Sequence, residues 1–186
     1  MHIREFLDKF TQATSDGWLE WDEALLLAAY AELTRGPLVE VGSYAGRSAM
    51  LLAQLPDHAY RDRYRRLYCV DPWADGFNDT LTGDDVFRMF AVNMAKISGA
   101  DVVPVRARVE DTEPIPAEFV YLDGDHTYAG TKYQIEWALR CQPRFVAVHD
   151  VDDEGDGRDV KLAITKLLGP WKERIGRLAV WEVRNG

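Results

Sequence analysis

Apolar and polar positions along the chain follow two alternating periods. Residues 2–13 and 22–35 carry apolar side chains at helical spacing, the second stretch preceded by Ser15-Asp16-Gly17 and closed by Gly36-Pro37. Two helices are therefore predicted ahead of the first strand. Leu38-Val39-Glu40-Val41 is a short β-type run ending at Gly42, and helical periodicity resumes over residues 46–55. The alternation then repeats. Leu67–Val70 reads as a strand, residues 84–97 as a helix with Val86, Phe87, Phe90, Met94 and Ile97 on one side, and residues 101–105 and Phe119–Leu122 as two further strands. A helix over 128–139, the uninterrupted apolar strand Phe145–Val148, a helix marked by Val160, Ala163, Ile164, Leu167 and Leu168, and a final strand over 178–183 complete the pattern. Strands that alternate with helices predict an α/β fold with a mainly parallel central sheet and helices on both faces. Ligands of such sheets bind beyond the carboxyl ends of the strands.

Composition narrows the picture without changing it. The 186 residues, 47% hydrophobic and 28% charged, suit one globular domain, with helices in 1–35 and the core in 37–186. Asp and Glu outnumber Lys and Arg by 31 to 22, a formal charge of −9. A balance of that sign argues against nucleic acid and against anionic membrane as partners. The cluster Arg61, Arg63, Arg65 and Arg66, interleaved with Asp62 and Tyr64, reads as a solvated loop. The first ten residues lack the apolar stretch of a signal peptide, and the longest apolar run, Ala24 to Ala31, is too short to span a bilayer, so a cytoplasmic protein is expected. Cys69 and Cys141 have no metal-type spacing and are expected as buried, reduced thiols.

The candidate chemistry sits at the strand ends. Gly42 and Gly46, after the first strand, allow a tight turn and close backbone approach to a ligand, beside a helix N-terminus suited to an anion. Their spacing is not the Gly-x-Gly-x-x-Gly of dinucleotide-binding turns. Asp71, after the second strand, stands where nucleoside-binding sheets place an acid on the ribose hydroxyls. Asp123-Gly-Asp125-His126 follows the fourth strand and His149-Asp150 the fifth, so carboxylates and imidazoles meet at one rim with the donor density of a divalent cation site. The loop 72–84, with Trp73 and Phe77, is long enough to serve as a lid. The acidic run 150–156 reads as a solvated face.

The runs Leu38-Val-Glu-Val-Gly-Ser-Tyr-Ala-Gly-Arg-Ser48, Cys69-Val-Asp-Pro-Trp73, Phe119-Val-Tyr-Leu-Asp-Gly-Asp-His-Thr-Tyr128 and Ala147-Val-His-Asp150 resemble the class I S-adenosylmethionine-dependent methyltransferases. The likeness is to a small subgroup with Glu-x-Gly-Ser-x-x-Gly-x-Ser and Asp-Gly-Asp-His motifs. It implies a Rossmann-like fold with a C-terminal antiparallel strand, and S-adenosylmethionine as cofactor. By the same resemblance Glu40, Gly42, Ser43 and Gly46, with Ser48 closing the motif, line the methionine end. Asp71 takes the ribose, Trp73 lies near the adenine, and Arg108, Val109 and Glu110 occupy the place of further adenine contacts, although the usual Gly-Asp-Ser there is missing. In related metal-dependent O-methyltransferases, acids after the fourth and fifth strands hold Mg²⁺. Asp123 and Asp150 match those places and His149 replaces an acid, giving Asp123, His149 and Asp150 as the implied metal set, with Asp123 also facing the cofactor. His126 stands where catechol-type enzymes carry a lysine base, and Gln142-Pro143-Arg144 replaces their Pro-Gly-Gly.

The resulting expectation is methylation of a hydroxyl on a small-molecule acceptor, with Asp123 and His126 catalytic, His126 as the base, and Mg²⁺ or another divalent cation assisting. His149 either ligates the metal or orients Asp150. Two alternatives stay open: a metal-dependent glycosyltransferase using Asp123-Gly-Asp125, and a non-catalytic nucleoside-binding domain. Homodimerisation is left open as well.

Overall fold

The structure, a computed structural model, describes residues 17–57, 64–74, 80–152, 154–155 and 157–183. The helix expected over 2–13, and Arg61, Arg63, Phe77 and Asp156, lie outside the described residues. In chain order the elements are α1 (Trp21–Glu32), β1 (Leu38–Val41), α2 (Arg47–Leu52), β2 (Leu67–Val70), α3 (Gly83–Ala95), β3 (Val102–Val105), a 3₁₀ turn (Val109–Asp111), β4 (Phe119–Leu122), α4 (Tyr128–Arg140), β5 (Phe145–Val148), α5 (Gly157–Leu167), β6 (Glu173–Ile175) and β7 (Leu178–Glu182). Among the described residues, no helix is long and apolar enough to cross a membrane.

The strands form one sheet in the order β3-β2-β1-β4-β5-β7-β6. β1 to β5 are mutually parallel, and β7 runs antiparallel to β5 and to β6. This is the Rossmann-like methyltransferase arrangement, mainly parallel with an antiparallel C-terminal end. β6 was not foreseen, because Glu-Arg-Ile is too short and too polar to show an alternation. The chain order reverses between β1 and β4, so the crevice for a ligand opens at their carboxyl ends.

Each central strand is buried on both faces, and alternate residues feed two cores. Leu38, Tyr121, Phe145 and Ala147 pack with α1, α2 and α3, whereas Val39, Val120, Val146 and Val148 pack with Trp137 of α4 and Ile164 of α5. In the first of these cores the sheet register sets Glu40 between Cys69 and Tyr121. Continuing the alternation past the strand ends points Asp123 and His149 towards the same side, where α1 lies.

The C-terminal end of α1 is closed by Arg65, which corrects its reading as a solvated residue. Its guanidinium is buried and donates to the Ala31 carbonyl at 2.7 Å, to Thr34 Oγ1 at 2.8 Å, and to the Gly36 carbonyl. Bare helix-end carbonyls take a cation well. Arg66 does face solvent and pairs with Asp101 at 2.9 Å. Cys69 and Cys141 are free and buried, as expected.

Candidate active site

Two loops meet over the ends of β1 and β2. Gly42 and Gly46 adopt left-handed φ of 84° and 91°, and so do Tyr44 and Trp73, at 45° and 41°. A side chain is strained there and stays only where its surroundings over-determine it. Asp71 is the determinant: Oδ2 accepts the Tyr44 N–H at 2.9 Å and Oδ1 the Trp73 N–H at 2.6 Å. Trp73 Nε1 donates to the Tyr44 carbonyl at 2.9 Å and locks the pair. Each Asp71 oxygen keeps a lone pair for a further donor. Burial raises the Asp71 carboxyl, against the backbone N–H groups of Tyr44, Trp73 and Ser43. At Gly42 a Cβ would collide with the Asp123 carbonyl, so only glycine lets the β1 and β4 loops approach this closely.

Beneath this turn Glu40 is fully buried, and neither of its oxygens has a hydrogen-bond partner; the Ser43 hydroxyl is unpartnered too. Burial pushes the Glu40 carboxyl up to about 7, only partly offset by the nearby Ser43 and Ser48 hydroxyls, which make no aligned bond to it. A buried anion without a partner is costly, so the pocket is set for a cationic group.

A cavity of about 1030 Å³ runs from these loops to the ends of β4 and β5. Of the cofactor residues expected from sequence, Gly42, Asp71, Trp73, Arg108, Val109, Glu110 and Asp123 line it. Glu40, Ser43, Gly46 and Ser48 are buried at the end of β1 and in the turn behind its surface. The Trp73 ring packs against Phe87 and Phe90, centroids 4.8 and 4.9 Å away, and belongs to the wall more than to a free stacking surface.

At the other end stand the residues of the Asp-Gly-Asp-His and His-Asp motifs. Asp123 Oδ2 accepts from the Tyr121 hydroxyl at 2.9 Å, and its Oδ1 lies 3.4 Å from His149 Nδ1 and 3.7 Å from His126 Nε2. Asp150 Oδ2 lies 3.2 Å from His149 Nδ1 and 3.3 Å from His126 Nε2, while Oδ1 meets Arg177 at 2.6 Å. His149 Nε2 is engaged as well, 3.0 Å from Glu23 Oε2 of α1. Both of its nitrogens therefore face carboxylates, an arrangement that only the doubly protonated imidazolium satisfies. Burial opposes that charge, but bonds to Asp123, Asp150 and Glu23 outweigh it and push the ring up to about 12. Burial likewise works to raise Asp123, and His126 and His149 outweigh it, holding the carboxyl well below the usual range. His126 is drawn upward, first by its contact with Asp123.

The cluster with metal-ligand spacing among the described residues is Asp123, His126 and Asp150, one donor atom from each lying within 4.8 Å of the others, whereas both nitrogens of His149, expected in that set, already face carboxylates. Two hard carboxylates and an imidazole suit a divalent ion. His126 Nε2 is shielded from solvent and has no aligned hydrogen-bond partner, which further fits a ligand role. Asp125 lines the cavity and accepts the Thr127 N–H at 2.8 Å, at the start of α4; it is not part of the Asp123, His126 and Asp150 cluster.

Glu23, Tyr121 and Arg177 were not found from sequence. Glu23 lies 126 residues from His149 and carries only the signal of a first-turn acid, Tyr121 is one aromatic within an apolar strand, and Arg177 lies on the β6–β7 turn that polarity obscured.

The comparisons with known proteins agree with this geometry. The family model described as "Methyltransferase domain" matches residues 39–151, which span β1 to just beyond β5. No curated protein matches the chain. Among solved structures, cofactor-bound Rv0187 from MTB is 16% identical, with 99% of this chain and 90% of that chain covered at a TM-score of 0.67. The O-methyltransferase TomG from Streptomyces achromogenes, in complex with SAM, is 19% identical, with 97% and 90% covered at 0.62. Apo CalS11, a TDP-rhamnose 3'-O-methyltransferase, is 18% identical, with 96% and 92% covered at 0.61. These likenesses carry the fold, and the family match carries more: with over half its length inside that model, the chain belongs to the methyltransferase domain family.

Proposed function

We propose that the chain transfers a methyl group from S-adenosylmethionine to a hydroxyl of a small-molecule acceptor. The observation that carries this reading is one continuous cavity joining the Gly42–Asp71 loops to the Asp123, His126 and Asp150 rim. At about 1030 Å³ it is at the upper end of small-molecule sites, with room for an acceptor beside a cofactor. The names of TomG and CalS11 as O-methyltransferases support the choice of oxygen.

Within that reading Asp71 accepts from the ribose hydroxyls, and the charge of the unpartnered Glu40, buried behind the Gly42 turn, favours the ammonium of the methionine end above it. Bound S-adenosylmethionine supplies an electrophilic methyl on a sulfonium. The chain's part is to align the acceptor and remove its proton, and alignment alone is worth up to about 7–11 kcal/mol. The His126 imidazole receives the proton, with Asp123 and Asp150 beside its Nε2 stabilising the imidazolium that forms. If a divalent ion binds, Asp123, His126 and Asp150 would hold it, and it would supply Lewis acidity that lets the hydroxyl release its proton to solvent. A glycosyltransferase makes no use of the Gly42 turn and Asp71, and its metal pair Asp123 and Asp125 is not the cluster with metal-ligand spacing, which joins Asp123 to His126 and Asp150.

The test is turnover. Incubation of the full chain with S-adenosylmethionine and a panel of catechols, phenols and free sugars should yield S-adenosylhomocysteine and an O-methylated product. Methylation only of amines or thiols across a matching panel would refute the oxygen assignment.

A further inference from the structure

The best-determined group at the rim is Asp150. Its φ of 55° is strained for a residue with a side chain, so something must hold it. Two donors do: His149 Nδ1 faces Oδ2 at 3.2 Å, and Arg177 meets Oδ1 at 2.6 Å. Both donors are in turn fixed by one residue from outside the motifs. Glu23 Oε2 meets His149 Nε2 at 3.0 Å, and Glu23 Oε1 accepts the Arg177 N–H at 2.7 Å. Oε2 also accepts the Glu20 N–H at 3.0 Å, which pins the side chain to the start of α1. Glu23 is buried, with 2% exposure, and lies close against Gly176, so it has one place to stand.

We infer that Glu23 is a positioning residue for methyl transfer: through His149 and Arg177 it fixes both oxygens of Asp150, and so the rim that faces the acceptor. This rests on the methyltransferase reading of the site, but its geometry is separable from it. Among the described residues Glu23 does not line the cavity, and its hydrogen bonds go to Glu20, Asp22, His149 and Arg177 rather than to the Gly42–Asp71 loops, so cofactor binding should not depend on it. α1, which precedes the sheet and lies outside the matched segment 39–151, thereby becomes part of the catalytic apparatus. A neutral isostere at position 23 has one acceptor oxygen where the carboxylate has two, so it cannot accept from His149 Nε2 and from the Arg177 N–H together. One of the two donors that hold Asp150 then loses its anchor.

The experiment compares the full chain with Glu23→Gln and Glu23→Asp, using S-adenosylhomocysteine as the probe in crystal structures and in calorimetric titration. Turnover is measured on whichever catechol, phenol or sugar the parent methylates. Glu23→Gln is expected to bind S-adenosylhomocysteine within about twofold of the parent, since it leaves the cofactor loops untouched. Its Asp150 carboxylate should move away from His149 Nδ1 or from the Arg177 guanidinium, and kcat should fall roughly 10- to 100-fold with the KM for S-adenosylmethionine unchanged, as for an interaction made only in the transition state. Glu23→Asp, which keeps the charge, should recover part of the loss. An unmoved Asp150 in Glu23→Gln overturns the inference, as does a parent-like kcat. Failure of the parent itself to bind S-adenosylhomocysteine overturns the methyltransferase reading instead, while the position of Asp150 still decides the role of Glu23.

Discussion

Replacing Glu40 by Gln should make the empty protein more stable and the enzyme worse. Burial moves this carboxyl from 4.5 to about 7, which corresponds to roughly 3 kcal/mol. The sign follows from the proton count. Between those two values the folded state holds a proton that the unfolded state has released, so stability falls as pH rises through the window and the full cost is present above it. Below pH 4.5 both states are protonated and the cost vanishes. Gln removes the charge but not the buried polar atoms, so about 1–2 kcal/mol should return at pH 8 and almost none at pH 4. For a domain of this size that is about 2–8 °C in Tm. Affinity for S-adenosylmethionine should fall by about 1.5–3 kcal/mol, the range for a hydrogen bond to a charged group, or about 10- to 150-fold. Thermal unfolding at pH 4 and pH 8, with and without S-adenosylhomocysteine, measures both effects. A variant destabilised equally at the two pH values, with unchanged affinity, would refute the reasoning.

Asp71→Asn should weaken S-adenosylhomocysteine binding by about 1.5–3 kcal/mol in calorimetric titration, because the amide keeps the size but offers one acceptor where the carboxylate offers two. An unaltered affinity would mean that Asp71 serves only the two loops. His126→Ala should lower kcat by roughly 10² to 10⁴. In the parent, His126 must be deprotonated to act and Asp123 raises its pKa above the ordinary 6.5, so the rate should climb with pH beyond 6.5 and level off higher. A pH profile already flat at 6.5 contradicts this. Trp73→Ala should cost about 3–5 kcal/mol in urea unfolding, since it removes a buried ring held by Phe87, Phe90 and the Tyr44 carbonyl; a cost under 1 kcal/mol would place the ring outside the core.

The sheet was legible because its information is local. β1, β2, β4 and β5 are apolar runs that end at Gly42, Asp71, Asp123 and His149, and a strand covered on both faces needs no more than that. β6 was illegible for the converse reason, since its three residues are half exposed and depend on β7 for their pairing. At the site, Gly42 and Asp71 could be placed by their distance from strand ends. The split of roles between His126 and His149 could not. Both follow strand ends and both meet Asp123 and Asp150, but Glu23 approaches His149 alone, from a helix 126 residues away in sequence. That contact, invisible to any motif, turns one histidine into a fixed cation and leaves the other facing the cavity. Separation in sequence also hid Arg65, whose partners are the Ala31 carbonyl in the last turn of α1 and the Gly36 carbonyl just beyond it.

The central claim is that the loops after β1 and β2 hold the two ends of S-adenosylmethionine. Its most direct measurement is calorimetric titration of the full chain with S-adenosylhomocysteine, alongside NADH and a nucleotide sugar. The account predicts saturable one-to-one binding of S-adenosylhomocysteine, reduced in both Asp71→Asn and Glu40→Gln, and no heat from the other two. Binding of NADH or the nucleotide sugar in place of S-adenosylhomocysteine would contradict it.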